Sequence, residues 1–462
     1  MTPRHGLLAA ALLVAASRFC HWRVVWVEEA YPLAAGLEML RGKMLYRDVW
    51  FDKPPLSAAF YTLFGGWYGW PLRLAGTILI LFTCYCAYLL AREWWGQREA
   101  RTAAALLAFF LTFGVPSAVL PVAPDLLLIA PHLLAIWFCL RSQPFRAGIA
   151  CGIAMLVHTK ALYVGAACLA WQWRSFRALA GGCLLIQAPF LIWLWGGGAL
   201  REYWEQVWQW GFRYAADSPY PSPWLEGLRR TLNWLGFHAT LAASTACFFL
   251  RRQRFNRQAA LWLLVSCAAV AAGARFFPRY YFQLLAPLVV LGAWGVSALP
   301  SCARTCILAL LFIPLARFGP RHVLVGMGKP WNDLLLHDDS RMVAEELKKR
   351  SVRSLLVWGY RPEIYAYSRL PAATKFLDSQ PLTGVIADRH LWTSRPTFPQ
   401  LAQNNRLLLL HTAPEAIVDG LGPLNPSLAI TNYEDLKPWL AHYVVAYRSA
   451  RSIVYLRTAA SQ

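Results

Sequence analysis

Negative charge is scarce in this chain: 24 Asp and Glu stand against 45 Lys and Arg, and charged residues of either sign make up only 15% of 462. With 57% hydrophobic residues, that balance excludes an ordinary soluble domain and implies many membrane spans plus some extramembrane mass. A ligand-spaced Cys/His set is missing. The 11 cysteines fall mostly inside apolar runs, as at Cys84, Cys86, Cys139, Cys151, Cys168, Cys183, Cys247 and Cys267, and Cys84 lies too close to Cys86 for the usual zinc pattern. They read as small buried hydrophobes. A phosphate loop, a nucleophile elbow, a metal motif, internal repeats and low-complexity linkers are missing too. A net charge of +21 would suggest nucleic acid in a soluble protein. Here no basic, aromatic platform occurs, and the cations sit between apolar segments, where membrane orientation and lipid headgroups account for them. Neither a nucleic-acid partner nor a nucleotide or redox cofactor is expected.

What is present is apolar and segmented. Hydrophobic stretches near 6–27, 72–91, 102–116, 125–140, 146–158, 161–171, 178–197, 232–250, 259–274, 281–298 and 303–316 give about eleven spans, several of them short for a full crossing. Residues 6–16 resemble a signal-peptide core but run on to residue 27 without a small-residue cleavage site, so a retained first helix is expected. With a cytoplasmic N-terminus, the inner connections hold Arg92, Arg98 and Arg101, Arg141 and Arg146, Arg174 and Arg177, then Arg251, Arg252, Arg254 and Arg257, and finally Arg304. This follows the positive-inside rule and turns the 28–55 loop and everything after 317 outward.

The expected fold class is a multi-pass α-helical membrane bundle over 1–320, with a first outer loop at 28–55, followed by a small extracytoplasmic α/β domain over 321–462. Leu33, Leu37 and Leu40 share a face, so 30–41 should be a helix lying in the membrane interface and stopped by Gly42. A second such element is expected at 200–214, where Trp204, Trp208 and Trp210 suit the headgroup region. Farther on, Ser340 should cap a helix running to Arg350. Residues 355–358 and 407–410 read as buried strands, and 443–447 with 453–456 as a hairpin.

Against so few acids, the first outer loop stands out. Glu28, Glu29, Asp48, Asp52 and Lys53 gather between two apolar segments, and ionisable groups at a membrane edge mark a functional site by default. Glu28 and Glu29 point about 100° apart on a helix end, so they should serve different roles. Near lipid, a carboxylate moves toward the range useful for a general base. Glu28 ends a continuous apolar helix and is favoured for that work, whereas for Glu29 a hydrated helix cap is an equal reading. Lys53 is presented by the stiff Pro54-Pro55 pair, which suits a fixed phosphate contact better than a snorkelling lysine. Asp125 opens the fourth span in a loop otherwise free of charge, where stabilising a helix N-terminus is the bland alternative. Lys160, Arg275, Arg279, Tyr280 and Tyr281 occupy outer junctions. Cations on the face that the positive-inside rule leaves poor in them point to an anionic ligand, with headgroup anchoring as the competing role.

Together these residues resemble the lipid-linked-sugar glycosyltransferases of the GT-C architecture, in the branch of protein O-mannosyltransferases and lipid A aminoarabinose transferases. The matching pieces are Glu28-Glu29, Met39-Leu40-Arg41-Gly42, Lys53-Pro54-Pro55-Leu56 and Arg73-Leu74, with echoes at Pro124-Asp125, Thr159-Lys160, Pro278-Arg279-Tyr280-Tyr281 and 358–365. The family usually has Asp-Glu where this chain has Glu28-Glu29. The resemblance implies a polyprenyl-phosphate-linked sugar as donor, an extracytoplasmic acceptor and inversion at the anomeric centre. Glu28 would be the base; Glu29 and Asp125 would orient the acceptor or a divalent metal cation; Lys53, Lys160, Arg275, Arg279 and Tyr280 would hold the donor phosphate. A transporter or flippase is the competing class, but its repeated halves and midplane charges are not evident here.

Overall fold

The computed structural model describes residues 3–251, 256–329 and 331–458. Arg252 and Arg254, assigned above to an inner connection, lie outside the described residues. Among the described residues, four helical stretches are long and apolar enough to cross a membrane: Trp70–Trp94, Trp173–Gly196, Pro278–Ala298 and Ser301–Gly326. The first, at 25 residues and about 1.5 Å per residue, exceeds the roughly 30 Å of a hydrocarbon core. It starts where Gly69 adopts a left-handed φ of +80° ahead of Pro71, and Arg92 lies in its last turn. Shorter apolar helices fill in around these, among them Pro124–Leu140, Pro144–Val157 and Ala161–Trp171.

Close packing of helix Pro144–Val157 on Phe176–Gly196 depends on missing side chains. A Cβ on Gly148 would lie 2.0 Å from the Leu179 carbonyl oxygen, and one on Gly182 would lie 2.0 Å from that of Phe145. Apolar helices that gain little from burial against lipid associate through such backbone approach. All eleven cysteines are free. Cys84, Cys86, Cys139, Cys151 and Cys168 are buried as expected, Cys183 and Cys247 are half-buried, and Cys267 is exposed.

Four strands lie toward the C-terminal end: β1 (Leu355–Trp358), β2 (Ala416–Asp419), β3 (Tyr443–Arg448) and β4 (Ile453–Arg457). Their order is β1-β2-β4-β3, with β1 and β2 parallel and the other pairs antiparallel. Every residue of β1 and β2 is buried, which is why they read as apolar runs without alternation. The hairpin at 443–447 and 453–456 is present, whereas residues 407–409 end the helix Pro399–Leu409 instead of forming a strand. Ser340 is no cap. It sits inside helix Leu335–Lys349, and its hydroxyl donates to Glu363 at 2.6 Å.

The helix expected at 30–41 spans Val27–Leu40. Residues 29–38 are buried, because the face that should have met water meets the C-terminal part of the chain. Glu38 accepts the backbone N–H of Ala372 at 3.1 Å, and Arg41 donates to the carbonyl of Arg369. One hydrophobic core joins Tyr31, Tyr46, Trp50 and Phe51 of the first loop to Leu356, Trp358 and Ile417 of the sheet. That core fixes the loop over the end of the helical bundle.

Candidate active site

Segments from across the chain meet at one cavity of about 700 Å³. Glu28 is the second residue of helix Val27–Leu40, following Trp26 in extended conformation. Lys53 immediately precedes Pro54 and Pro55, and helix Leu56–Thr62 starts just after them. Asp125 lies in the single turn Pro124–Leu127, and Lys160 caps helix Ala161–Trp171. Arg279 and Tyr280 belong to the 3-10 turn Pro278–Tyr281. Arg275 stands between Ala274 and Phe276, both at a left-handed φ near +50° that non-glycine residues seldom adopt.

All seven of these expected residues line the cavity: Glu28, Lys53, Asp125, Lys160, Arg275, Arg279 and Tyr280. Glu29 does not. It is fully buried, with Oε1 2.5 Å from Arg73 and accepting the Trp26 N–H at 3.0 Å, while Oε2 accepts the Val122 N–H at 3.0 Å. A carboxylate so occupied has nothing left for an acceptor or a metal ion, so its expected site role is corrected to a structural one. The lock is wider than this pair. Arg18 donates to the carbonyls of Val119 and Leu120, Arg73 to those of Val24 and Leu120, and the Tyr61 hydroxyl to that of Val122. These bonds pin the 119–122 loop that leads into Asp125.

Within the cavity, acids and bases are paired. Glu28 Oε1 accepts from Arg279 Nη1 at 2.8 Å, and Arg279 Nε lies 3.5 Å from Asp125 Oδ2. Asp125 Oδ1 is 3.4 Å from His158 Nε2. The Lys160 backbone N–H donates to His158 Nδ1 at 3.0 Å, which places the ring proton of a neutral His158 on Nε2, toward the carboxylate. Lys53 Nζ donates to Asp52 at 2.9 Å. Arg275 is more tightly held than a mobile phosphate ligand would be: it donates to Asp388 at 2.6 Å and to the carbonyls of Tyr214 and Asp217, and its guanidinium stacks 3.7 Å from the Tyr214 ring. It lines the cavity but works as a clamp between the 214–217 and 388 segments.

Lys160 is the exception. Its residue is 9% exposed, its Nζ has no hydrogen-bond partner and no carboxylate within salt-bridge distance among the described residues, and the amine rests 3.1 Å from the centre of the Tyr280 ring. Burial pushes its pKa down to about 7, against an opposing pull from Asp125. A buried amine facing a cavity without a bonded carboxylate is poised to receive an anion.

Sequence reasoning gave no site role to Asp52, His158, Tyr214, Tyr360 or Asp388, all of which line the cavity. Asp52 and His158 adjoin residues that were chosen, so their neighbours were a usable signal. Tyr360 falls within the 358–365 echo, whereas nothing local marks Asp388. Among the described residues, no group of three or more His, Cys, Asp or Glu side chains is arranged to hold a metal ion. The Glu29–Asp125 pair proposed for one is not available, and Glu28 and Asp125 both face the Arg279 cation; this donor set does not fit a divalent metal.

Residues 52–193 match the family model described as dolichyl-phosphate-mannose-protein mannosyltransferase. Over 250 residues the chain is 27% identical to the undecaprenyl phosphate-alpha-4-amino-4-deoxy-L-arabinose arabinosyl transferase of Pseudomonas aeruginosa (strain UCBPP-PA14), covering 48% of this chain and 44% of that protein. The chain thus aligns with less than half the length of the curated relatives it matches. In structure it is similar to ArnT from Cupriavidus metallidurans bound to undecaprenyl phosphate, with a TM-score of 0.63 and 17% identity over 98% of this chain and 97% of that one. An Archaeoglobus fulgidus oligosaccharyltransferase matches with a TM-score of 0.50 and 13% identity, covering 99% of this chain and 74% of that one. The chain therefore has the multi-pass helical fold of these membrane proteins, and the resemblance to the GT-C sugar transferases that use polyprenyl-phosphate donors stands.

Proposed function

We propose that this chain is an integral-membrane glycosyltransferase that moves a sugar from a polyprenyl-phosphate donor to a hydroxyl of a lipid, glycan or protein acceptor, with inversion at the anomeric carbon. The observation that carries the reading is the Glu28 carboxylate, hydrogen-bonded to Arg279, facing the same cavity as the uncompensated amine of Lys160. An acyl or phosphoryl transferase would leave the likeness to sugar transferases unexplained. The Arg-rich connections support about eleven spans in the inner membrane, with the 28–55 loop and the α/β region after residue 320 on the extracytoplasmic side.

In this mechanism Glu28 takes the proton of the acceptor hydroxyl as its oxygen bonds to the anomeric carbon. The bond from that carbon to the phosphate oxygen breaks on the opposite side, and its electron pair leaves with the polyprenyl phosphate. Negative charge on the phosphate grows by one unit, and Lys160, Arg279 and Lys53 meet it there, stabilising the transition state more than the ground state. Arg279 couples the two halves. In the resting site it holds Glu28; a donor phosphate draws it away, and Glu28 is left free to act as a base.

Glu28→Gln tests the assignment in reconstituted protein supplied with a polyprenyl-phosphate sugar. Transfer should fall by about 10²- to 10⁴-fold, the range for losing a general base, while donor binding persists. Full transfer by a correctly inserted Glu28→Gln protein would remove the base from this residue.

A further inference from the structure

A second cavity of about 590 Å³ adjoins the first, and Arg230 and Pro278 line both. Its lining differs in chemistry from part to part. Glu226, Arg229, Arg230 and Asn233 line one part, with Phe276 packed against Gly227 beside them, and the paired rings of Phe237 and Phe318, 5.2 Å apart, line another. Glu226 is engaged by Arg230 at 2.7 Å and stands 4.0 Å from Arg229, whose side chain is 84% exposed. One carboxylate therefore faces two guanidiniums, leaving one positive charge uncompensated at the cavity mouth. Helix Pro223–Phe237, which supplies these groups, also exposes Leu225, Leu228 and Leu232 at 70%, 56% and 60%. In an integral membrane protein, leucines exposed along a helix that also presents arginines mark contact with acyl chains at headgroup depth.

We propose that this second cavity is a binding site for an anionic membrane phospholipid, its phosphate on Arg229 and the start of an acyl chain against Phe237 and Phe318. A donor's hydrocarbon tail alone has no use for a separate set of charges, and the cations proposed for the donor phosphate already stand in the first cavity. Arg230 links the sites: it contacts Glu226 on one side and donates toward the Arg275 carbonyl, at 3.5 Å, on the other. Arg230 thus stands between the proposed lipid site and the Arg275 clamp on the 214–217 and 388 segments. The inference needs only membrane residence and does not depend on sugar transfer.

The test uses the full chain in nanodiscs of phosphatidylcholine with a minor fraction of phosphatidylglycerol. p-Benzoylphenylalanine in place of Phe318 should photo-crosslink phosphatidylglycerol in excess of its mole fraction. Arg229→Gln, at an exposed position outside the first cavity, should lower that enrichment roughly fivefold, the weight of one cation at an anionic lipid surface. Native mass spectrometry of protein without the photoprobe should show the same loss of retained phosphatidylglycerol. Crosslinking in proportion to mole fraction, enrichment unchanged by Arg229→Gln, or displacement of the adduct by undecaprenyl phosphate would each overturn the proposal, the last by making the cavity part of the donor's own path.

Discussion

Replacing Glu29 by Gln separates a structural carboxylate from a catalytic one. In the native arrangement Arg73 and Arg18 lie buried near one another, and Glu29, paired to Arg73 at 2.5 Å, is the carboxylate whose charge also favours the Arg18 cation. Gln keeps an acceptor oxygen for the Val122 or Trp26 N–H but removes the negative charge, stranding buried positive charge in an apolar surround. Breaking such a pair from one side costs about 3–5 kcal/mol, roughly 3–5 °C in a thermal unfolding midpoint for a chain of this size. Arg73→Met should cost a similar amount, and the double variant Glu29→Met/Arg73→Met should recover part of the loss, because a packed apolar pair replaces a buried ionic one with little net change. The assay is thermal unfolding in detergent alongside transfer rate at a temperature where every variant is folded. A Glu29→Gln protein with wild-type stability and a transfer rate reduced as far as that of Glu28→Gln would refute the structural assignment and return Glu29 to the catalytic set.

Lys160 should make donor binding depend on pH. Because burial holds its pKa near 7, the amine is charged below that value and neutral above it, so affinity for a polyprenyl phosphate measured by equilibrium binding should fall as pH rises from 6 to 8; Lys160→Arg should flatten the profile, and an unchanged slope in that variant would exclude the amine as its source. Asp378 is buried, and desolvation raises its pKa to about 7 from 3.8. A raised carboxyl pKa means the folded protein holds a proton that the unfolded chain has lost, so this group's contribution declines as pH climbs from about 4 to 7 and its penalty is full above that. Asp378→Asn, which retains an acceptor for the Gln380 N–H now bonded at 2.8 Å, should therefore stabilise the protein at pH 8 and leave it unchanged near pH 4. Equal shifts in melting temperature at both pH values would contradict that reading.

The residues legible in the sequence were those whose local setting was already odd. Glu28 ends an apolar run, Lys53 precedes two prolines, Asp125 stands in an uncharged loop, and Lys160 interrupts two apolar helices. Each anomaly is visible within a few positions, and all four line one cavity. The difference between Glu28 and Glu29 is of another kind. Neighbouring carboxylates on a helix differ only by what packs against each side, and the partner that claims Glu29 comes from Arg73, 44 positions away. Arg275 fails for the same reason, since its fate is set by Asp388 and two backbone carbonyls. At 407–410 the limit was periodicity: four consecutive leucines suit a buried strand or the inner turn of a helix equally well. The leucine face of the 30–41 helix is genuine, but the face expected to meet water is covered by the chain around Arg369 and Ala372, more than 320 residues later.

The pairing of Glu28 with Arg279 bears on how the proposed reaction would be ordered. The Glu28 oxygen hydrogen-bonded to Arg279 at 2.8 Å is already occupied, so bringing it to an acceptor hydroxyl requires that charge-assisted bond to break. A site that rested with the base free would instead invite water to the anomeric carbon as soon as a donor arrived without an acceptor. Arg279 also lies within 3.5 Å of Asp125, so it can lose Glu28 and keep one anionic neighbour while it turns to a phosphate. Under the proposed mechanism, removal of Arg279 is then expected to have two opposed effects: weaker hold on the donor phosphate and a Glu28 that is basic before the donor binds. Arg279→Met protein should show a raised KM for the donor together with hydrolysis of the polyprenyl-phosphate sugar in the absence of acceptor, measured as free sugar released. Loss of transfer without any gain in that hydrolysis would mean that Arg279 binds phosphate but does not restrain the base.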